Sequence, residues 1–244
     1  MKHKVDLGSS EWKAVIRDGA GKLGIEVSEE QADLFAVHAR EMVRWNKNTN
    51  LTSVTAPYEM AVKHYLDSIA AVPFIKPVTS LLDVGSGGGF PGIPLKIMLP
   101  SLSVTLLDAR RKRISFLQHV MRSLGLVDVR VFHDRLEQVA GLLPSKSGFD
   151  VIVSRAFSDL EHFAMHAVPL LNPDGCLVAY KGKKGHKLES EVAALEKLAV
   201  KSASGKQNPG DTRLNIDIQS FVLPWLEKER TFVIITRHRE EIVQ

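Results

Sequence analysis

The sequence predicts an α/β fold: a mostly parallel seven-stranded sheet ending in an antiparallel hairpin, with helices on both faces and an N-terminal helical cap. The first observation behind this is an alternation after Pro77. Short β-branched or leucine-rich runs, VTSLLDV, LSVTLLD, VDVRVFH, FDVIVS and GCLVAY, are separated by stretches with helical patterning. Strand alternating with helix predicts five parallel strands, with right-handed crossovers that place helices on both sheet faces. The second observation is that this alternation breaks at the end of the chain. LNIDIQSFVLP and RTFVIITRH are joined only by WLEKE, too short for a parallel crossover, so the two runs form an antiparallel hairpin. The third is that residues before Pro77 read as mainly helical, dividing the chain into a cap over 1–76 and a second domain over 77–244.

In chain order, Ser28 with Glu29 and Glu30 supplies an N-cap and an acidic first turn. Leu34, Phe35, Val37, Met42, Val43 and Trp45 then recur near helical spacing, which predicts an amphipathic helix to Asn48. Trp45 and Asn46 are expected to pack this cap onto the core and to shape a binding face. A second helix starts around Pro57 in APYEMAVKHYLDSIAAV, and Pro73 and Pro77 stop it before the first strand. RKRISFLQHVMRSLG is a helix closed by Gly125, and DLEHFAMHAVPLL is the helix between the fourth and fifth strands. The tract KSASGKQNPGDTR at 201–213 reads as a flexible surface loop. There is no internal repeat.

A chain of 244 residues, 44% hydrophobic and 25% charged, matches an ordinary globular protein and can bury a core without disulfides or metal. The single cysteine, Cys176, excludes a disulfide within the chain and a zinc site built on several cysteines. It reads as a buried, inert thiol in a strand, and a cytoplasmic, reducing location is expected. No apolar run approaches the roughly 20 residues of a membrane span. The start MKHKVDLGSS lacks the apolar core of a signal peptide, so neither membrane nor secretion is expected. A net charge of +4 tolerates a polyanionic partner without demanding one.

The most informative segment is LLDVGSGGGFPGIPL. Gly85, Gly87, Gly88 and Gly89 let backbone lie against a ligand where a side chain would block it. With Asp83 they make D-x-G-x-G-x-G, a pattern associated with S-adenosylmethionine sites, whereas Phe90 stands where the dinucleotide fingerprint needs its third glycine. A glycine-rich structural turn is the plainer alternative. Asp108 ends the next strand 23 residues after Gly85 (108 − 85), where an acidic group meets ribose hydroxyls; a helix-capping aspartate looks similar. Arg110, Arg111, Lys112 and Arg113 suit phosphate, and equally a solvated helix start. His64 and Asp67, three apart in KHYLDS, share a helical face that would orient an imidazole near the cleft, or serve structure alone; a metal reading lacks further ligands. Lys181, Lys183, Lys184 and Lys187 in KGKKGHK form a basic loop after the fifth strand, either gripping RNA phosphates or simply solvated.

Taken together, LLDVGSGGGFPGIPL, the upstream RWNKNTNLTSV and KHYLDSI, and the downstream DRLEQ, VIVSRAF and YKGKKG resemble the glucose-inhibited division protein B family. The resemblance runs from about Gln31 to about Lys187. It implies a class I (Rossmann-like) methyltransferase fold and an enzyme that uses S-adenosyl-L-methionine to methylate N7 of a guanine in the decoding-region loop of bacterial 16S ribosomal RNA. Carried over by motif, it sets Gly85 and Phe90 against the methionine and adenosine parts of the cofactor. Asp108, Ala109 and Arg110 fall near its ribose and adenine, and Leu136 and Glu137 clasp the adenine. Arg155, within SRAF, holds the cofactor carboxylate or a substrate phosphate, whereas without the motif a lone arginine after a strand reads as a surface ion pair. Lys63, His64, Lys181, Lys183 and Lys184 are assigned to RNA. The implied partner is 16S RNA, free or in a small-subunit particle, and the enzyme is expected to be a monomer without metal. No catalytic residue is named. The competing readings are a methyltransferase for a small molecule or protein, a nicotinamide-dependent oxidoreductase and a non-enzymatic RNA-binding module.

Overall fold

The computed structural model describes residues 5–75, 78–139, 148–155, 157, 159–183, 185–204 and 214–237. Five parallel strands, β1 (Ser80–Val84), β2 (Ser103–Asp108), β3 (Val129–His133), β4 (Phe149–Ser154) and β5 (Leu171–Lys181), continue into an antiparallel pair, β6 (Leu214–Leu223) and β7 (Lys228–Arg237). The order is β3-β2-β1-β4-β5-β7-β6, so the chain reverses direction across the sheet between β1 and β4. At that reversal the connections leaving neighbouring strands pass to opposite faces of the sheet and open a crevice outside the carboxyl ends, the usual ligand position in open α/β sheets. The β1 and β2 registers bring Val84 opposite Leu107, so Gly85 and Asp108 emerge side by side at that edge. β7 runs antiparallel to β5, with Tyr180 opposite Phe232, and thereby places its first residues at the same edge.

The cap begins with α1 (Ser10–Lys22), capped by Ser9 and burying Trp12, Ile16, Gly19 and Ala20 along one stripe. α2 (Glu29–Thr49) starts in a capping box: the Ser28 hydroxyl accepts from Gln31 N, and the Gln31 side chain accepts from Ser28 N. The Gln31 amide also donates to Ile97 O at 3.2 Å, joining the helix start to the end of α5 (Gly92–Met98). α3 (Pro57–Met60) passes into a π-helical turn, Ala61–Leu66, and then α4 (Asp67–Ile69). One continuous hydrophobic cluster contains Trp12, Phe35 and Tyr65 of the cap together with Leu81, Leu106, Val178 and Phe232 of the sheet. The other sheet face packs Leu82, Leu107 and Ile152 against Phe163 of α8 (Leu160–Ala167) and Leu195 of α9 (His186–Ser204).

Three expectations change. The helix read through DLEHFAMHAVPLL ends at Ala167, because Pro169 cannot donate to a continuing ladder; a 3-10 turn over Val168–Leu170 follows, and β5 begins at Leu171. α9 was not anticipated and extends over residues 201–204 of the tract read as a loop, whose remainder, 205–213, lies outside the described residues. Leu188, Val192 and Leu195 are its buried stripe. Cys176 is half-buried rather than buried. Among the described residues no helix is long and apolar enough to cross a membrane, and no cluster of His, Cys, Asp or Glu is arranged to hold a metal ion.

Candidate active site

After β1 the backbone enters the left-handed region at Gly85 (φ +75°), Gly87 (+57°) and Gly89 (+87°), which glycine adopts without steric cost. The loop is pinned from the neighbouring strand. Gly85 N and Ser86 N both donate to Leu107 O, at 2.8 and 3.0 Å, and Gly87 N donates to Asp108 Oδ2 at 2.9 Å. Asp108 also accepts from Arg110 N at 2.9 Å and pairs with the Arg113 guanidinium at 3.1 Å. Two carboxylate oxygens offer about four acceptor positions, so three donors leave room for one more. Beneath the loop Asp83 is fully buried. Its Oδ2 accepts from Gly92 N at 2.9 Å, and its Oδ1 has no hydrogen-bond partner among the described residues. Burial pushes this carboxyl up to about 7, against the lowering effect of the Gly92 hydrogen bond.

Gly85, Asp108, Ala109, Arg110, Leu136 and Glu137 come together around one cavity of about 290 Å³, which Val84, Leu107, Arg113, Asp134, Arg135 and Phe157 also line. Leu136 and Glu137 reach it from α7 (Leu136–Val139), which follows β3. The volume sits at the lower end of small-molecule clefts, roughly 300–1,000 Å³, and matches part of a nucleoside-containing ligand.

Phe90 and Arg155 occupy a neighbouring cluster instead. Phe90 is buried, with its ring stacked on His64 at 4.6 Å and beside His38 at 5.0 Å and Tyr65 at 5.4 Å. The Arg155 guanidinium lies over that ring at 5.1 Å. Arg155 donates to Lys63 O at 3.1 Å, to Asp67 Oδ2 at 3.4 Å and to His64 Nδ1 at 3.3 Å. Because arginine only donates, His64 Nδ1 accepts, so the ring proton sits on Nε2 and is donated to Thr52 Oγ1 at 2.9 Å. Burial and the Arg155 charge lower the imidazole to about 3, which keeps it neutral. Asp67 takes a second arginine through Arg230 Nε at 2.8 Å.

The predicted basic groups are dispersed. The Lys63 ammonium pairs with Glu59 at 2.6 Å. Lys181 is the last residue of β5 rather than part of a free loop. Its ammonium binds Glu191 of α9 at 2.7 Å and Phe157 O at 3.1 Å. Lys183 is exposed, and Lys184 lies outside the described residues. The sequence reading missed Arg113 as the partner of Asp108, although its place in the first turn of α6 (Arg111–Ser123) carried a signal. It also missed Arg230, which lies 163 residues from Asp67 and has no local signature.

Comparison with known proteins agrees with this architecture. Among solved structures, an O-methyltransferase, TomG from Streptomyces achromogenes in complex with SAM, superposes with TM-score 0.58 at 15% identity, covering 98% of this chain and 100% of that one. An O-methyltransferase described as putative, from Klebsiella pneumoniae, gives 0.57 at 15% identity over 94% and 98%. These likenesses establish the class I, Rossmann-like methyltransferase fold. Ribosomal RNA small subunit methyltransferase G of Geobacter metallireducens is 38% identical over 231 residues, 94% of this chain and 98% of its own length. Its counterpart in Geobacter sulfurreducens is 40% identical over 187 residues, 76% of this chain and 85% of its own. The profile of the GidB family, described as rRNA small subunit methyltransferase G, matches residues 31–210. With that match spanning most of its length, the chain belongs to the GidB family.

Proposed function

We propose that the chain transfers a methyl group from S-adenosylmethionine to N7 of a guanine in the decoding-region loop of bacterial 16S ribosomal RNA. The observation that carries the reading is the cavity at the carboxyl edge, where Gly85 and Asp108 meet in a chain whose relatives are named ribosomal RNA small subunit methyltransferase G. The residues fit an adenosyl group. Asp108 retains capacity for a hydroxyl, Val84, Leu107 and Leu136 supply apolar surface for a purine, and Gly85 leaves its approach clear. Asp83 Oδ1, buried and unpartnered among the described residues, adds a negative oxygen beneath the loop when ionised. Gly85, Phe90, Asp108, Ala109, Arg110, Leu136, Glu137 and Arg155 are the proposed cofactor residues.

When bound, S-adenosylmethionine supplies an electrophilic methyl group on a sulfonium sulfur. N7 of guanine carries a lone pair and no proton, so the chain has no proton to remove and its task is alignment. Holding two groups in line contributes several kcal/mol, in principle up to roughly 7–11. N7 is hidden in the deep major groove of an A-form helix, so the target guanine lies in a loop or leaves its stack. Of the basic residues assigned to RNA, Lys183, exposed beyond β5, is the proposed phosphate contact among those described, whereas the ammonium groups of Lys63 and Lys181 are paired with Glu59 and Glu191.

Two measurements test the function. Calorimetry should give saturable binding of S-adenosylmethionine and none of NAD; the reverse result refutes the reading. Mapping of 7-methylguanine in 16S RNA from cells with and without the gene should show one site lost in its absence.

A further inference from the structure

The cap helices reach the glycine loop through a side chain that no motif singled out. His38, on α2, is fully buried, and its Nε2 lies 2.9 Å from Gly88 O. A carbonyl only accepts, so Nε2 carries the proton and donates it. Nδ1 is then the unprotonated nitrogen, and it has no partner among the described residues, which leaves the Gly88 bond as the ring's anchor. Around that bond the packing is tight. A Cβ on Gly88 would lie 3.2 Å from Met42 Sδ, so α2 rests directly on the loop backbone. The imidazole lies beside Phe90 at 5.0 Å, meets Tyr65 edge-on at 5.8 Å and stacks on Phe116 of α6 at 6.2 Å.

The loop between Gly85 and Phe90 is thus held from two sides. From the sheet, Leu107 O and Asp108 Oδ2 take the N–H groups of Gly85, Ser86 and Gly87. From the cap, His38 takes the carbonyl of Gly88. The sheet-side contacts fix the part of the loop that lines the cavity, and the cap-side contact fixes the turn that leads from it into α5. A peptide plane has one orientation, so a hydrogen bond to the Gly88 carbonyl also sets the direction of the following N–H. That N–H belongs to Gly89 and donates to Ser86 O at 2.7 Å, closing the turn.

We infer that His38 is a positioning residue for the cofactor site: its neutral Nε2–H donor, delivered by the N-terminal helix α2, holds the glycine loop in its binding conformation. The inference rests on the proposed use of S-adenosylmethionine at this loop. Burial lowers the His38 imidazole to about 4, so the donor is present as the neutral ring throughout the neutral range. The cap is then part of the cofactor site rather than a lid over it.

The test compares His38→Phe, which keeps a flat ring without the donor, with His38→Gln, whose side-chain N–H reaches a similar distance, and His38→Asn, whose N–H falls short. S-adenosylmethionine affinity is measured by calorimetry, melting temperature without ligand by circular dichroism, and methyl transfer to 16S RNA by kinetics. His38→Phe and His38→Asn should weaken cofactor affinity about tenfold and raise the KM for cofactor, with the KM for RNA unchanged. His38→Gln should restore affinity to within about threefold of wild type. A purely structural role predicts lower melting temperatures with unchanged affinity in every folded variant, and that result overturns the inference. Loss of fold in all three, His38→Gln included, likewise makes His38 a core residue only and overturns it. If the wild-type chain itself fails to bind S-adenosylmethionine, the functional reading falls, a failure distinct from equal affinities among variants.

Discussion

A branched side chain at Gly85 meets two obstacles at once. The residue sits at φ +75°, where a non-glycine residue costs roughly 1–2 kcal/mol and a β-branched one is a genuine outlier. It also lines the cavity, where added atoms occupy ligand space. Gly85→Val should therefore reduce S-adenosylmethionine affinity by at least about tenfold, equivalent to about 1.4 kcal/mol, while circular dichroism still reports a folded chain. Normal affinity would show that ligand does not approach this backbone. Buried titratable groups set a second expectation. His38 and His64 are lowered by burial to about 4 and about 3 from 6.5, and Asp83 is raised by burial to about 7 from 3.8. Between about pH 5 and 6.5 the unfolded chain gains two imidazole protons that the native chain refuses, while native Asp83 holds one that the unfolded chain releases. The net proton belongs to the unfolded state, so stability falls as pH drops through this window, by up to about 1.4 kcal/mol per unit. His64→Gln removes one of the two imidazoles and should nearly flatten the slope, as read from melting temperatures between pH 5 and 6.5; an unchanged slope refutes the assignment. Asp108 was legible in the sequence because strand length fixes its distance from the glycines, while its partner Arg113 was legible only as charge. Arg230 and His38 were not legible, since each acts on a residue brought near by the tertiary fold.

At the level of elements, local chemistry accounts for where helices begin better than for how far they run. The side-chain oxygens of Ser28 and Gln31 accept reciprocally from two backbone N–H groups, Gln31 N and Ser28 N, at the start of α2, and the Gln31 amide reaches onward to Ile97 O. Ser28→Ala should cost about 1 kcal/mol, a fall in melting temperature of about 2–4 °C for a chain of this size, measured by thermal denaturation. No change would mean that the Gln31 contacts alone hold this end. The parallel strands were legible from their apolar runs because strands buried on both faces leave little polar alternation. α1 was not resolved as an element, since Gly19 and Gly21 lower its helix propensity, yet Gly19 is a close-packing site where a Cβ would lie 2.9 Å from Trp225 Nε1. α9 was hidden by the basic run before it. Its stripe of Leu188, Val192 and Leu195 follows the i, i+4, i+7 rule and packs the helix against α8 and β6. The passage from α3 through a π turn to α4 likewise has no sequence mark, and it is this turn that supplies His64 and, just beyond it, Asp67.

Across the whole molecule the cap and the sheet share one core. Trp12 and Tyr65 are buried in the same cluster as Leu106 and Phe232, and Trp225 Nε1 in the β6–β7 turn donates to Val15 O of α1 at 3.2 Å. A fragment of residues 77–244 would expose that apolar face, and it should lack a cooperative melting transition; a cooperative one would mark the cap as a separable domain. Charge acts at the same scale, for a net +4 is small and its placement decides how RNA is held. Lys181 and Lys183 stand two residues apart but differ in what their ammonium groups do. The first is 12% exposed and committed to Glu191 and Phe157 O, whereas the second is exposed beyond the strand. A lysine contributes to the salt dependence of binding only when phosphate replaces its counterions, so a group already neutralised by a carboxylate adds little. Lys183→Ala should therefore reduce the slope of log affinity against log salt by about 0.7 on single-stranded RNA or 0.9 on duplex. Lys181→Ala should leave the slope unchanged and lower the melting temperature, since Glu191 loses its partner at a cost on the order of 1–3 kcal/mol. The measurement is RNA affinity across a salt series, with 16S RNA and with a small-subunit particle, beside thermal denaturation of each variant. A slope that falls for Lys181→Ala shows the Glu191 pair opening to phosphate. A slope untouched by Lys183→Ala moves the RNA face to Arg110, Arg111 and Lys112, which stand exposed at the rim of the cavity and at the start of α6.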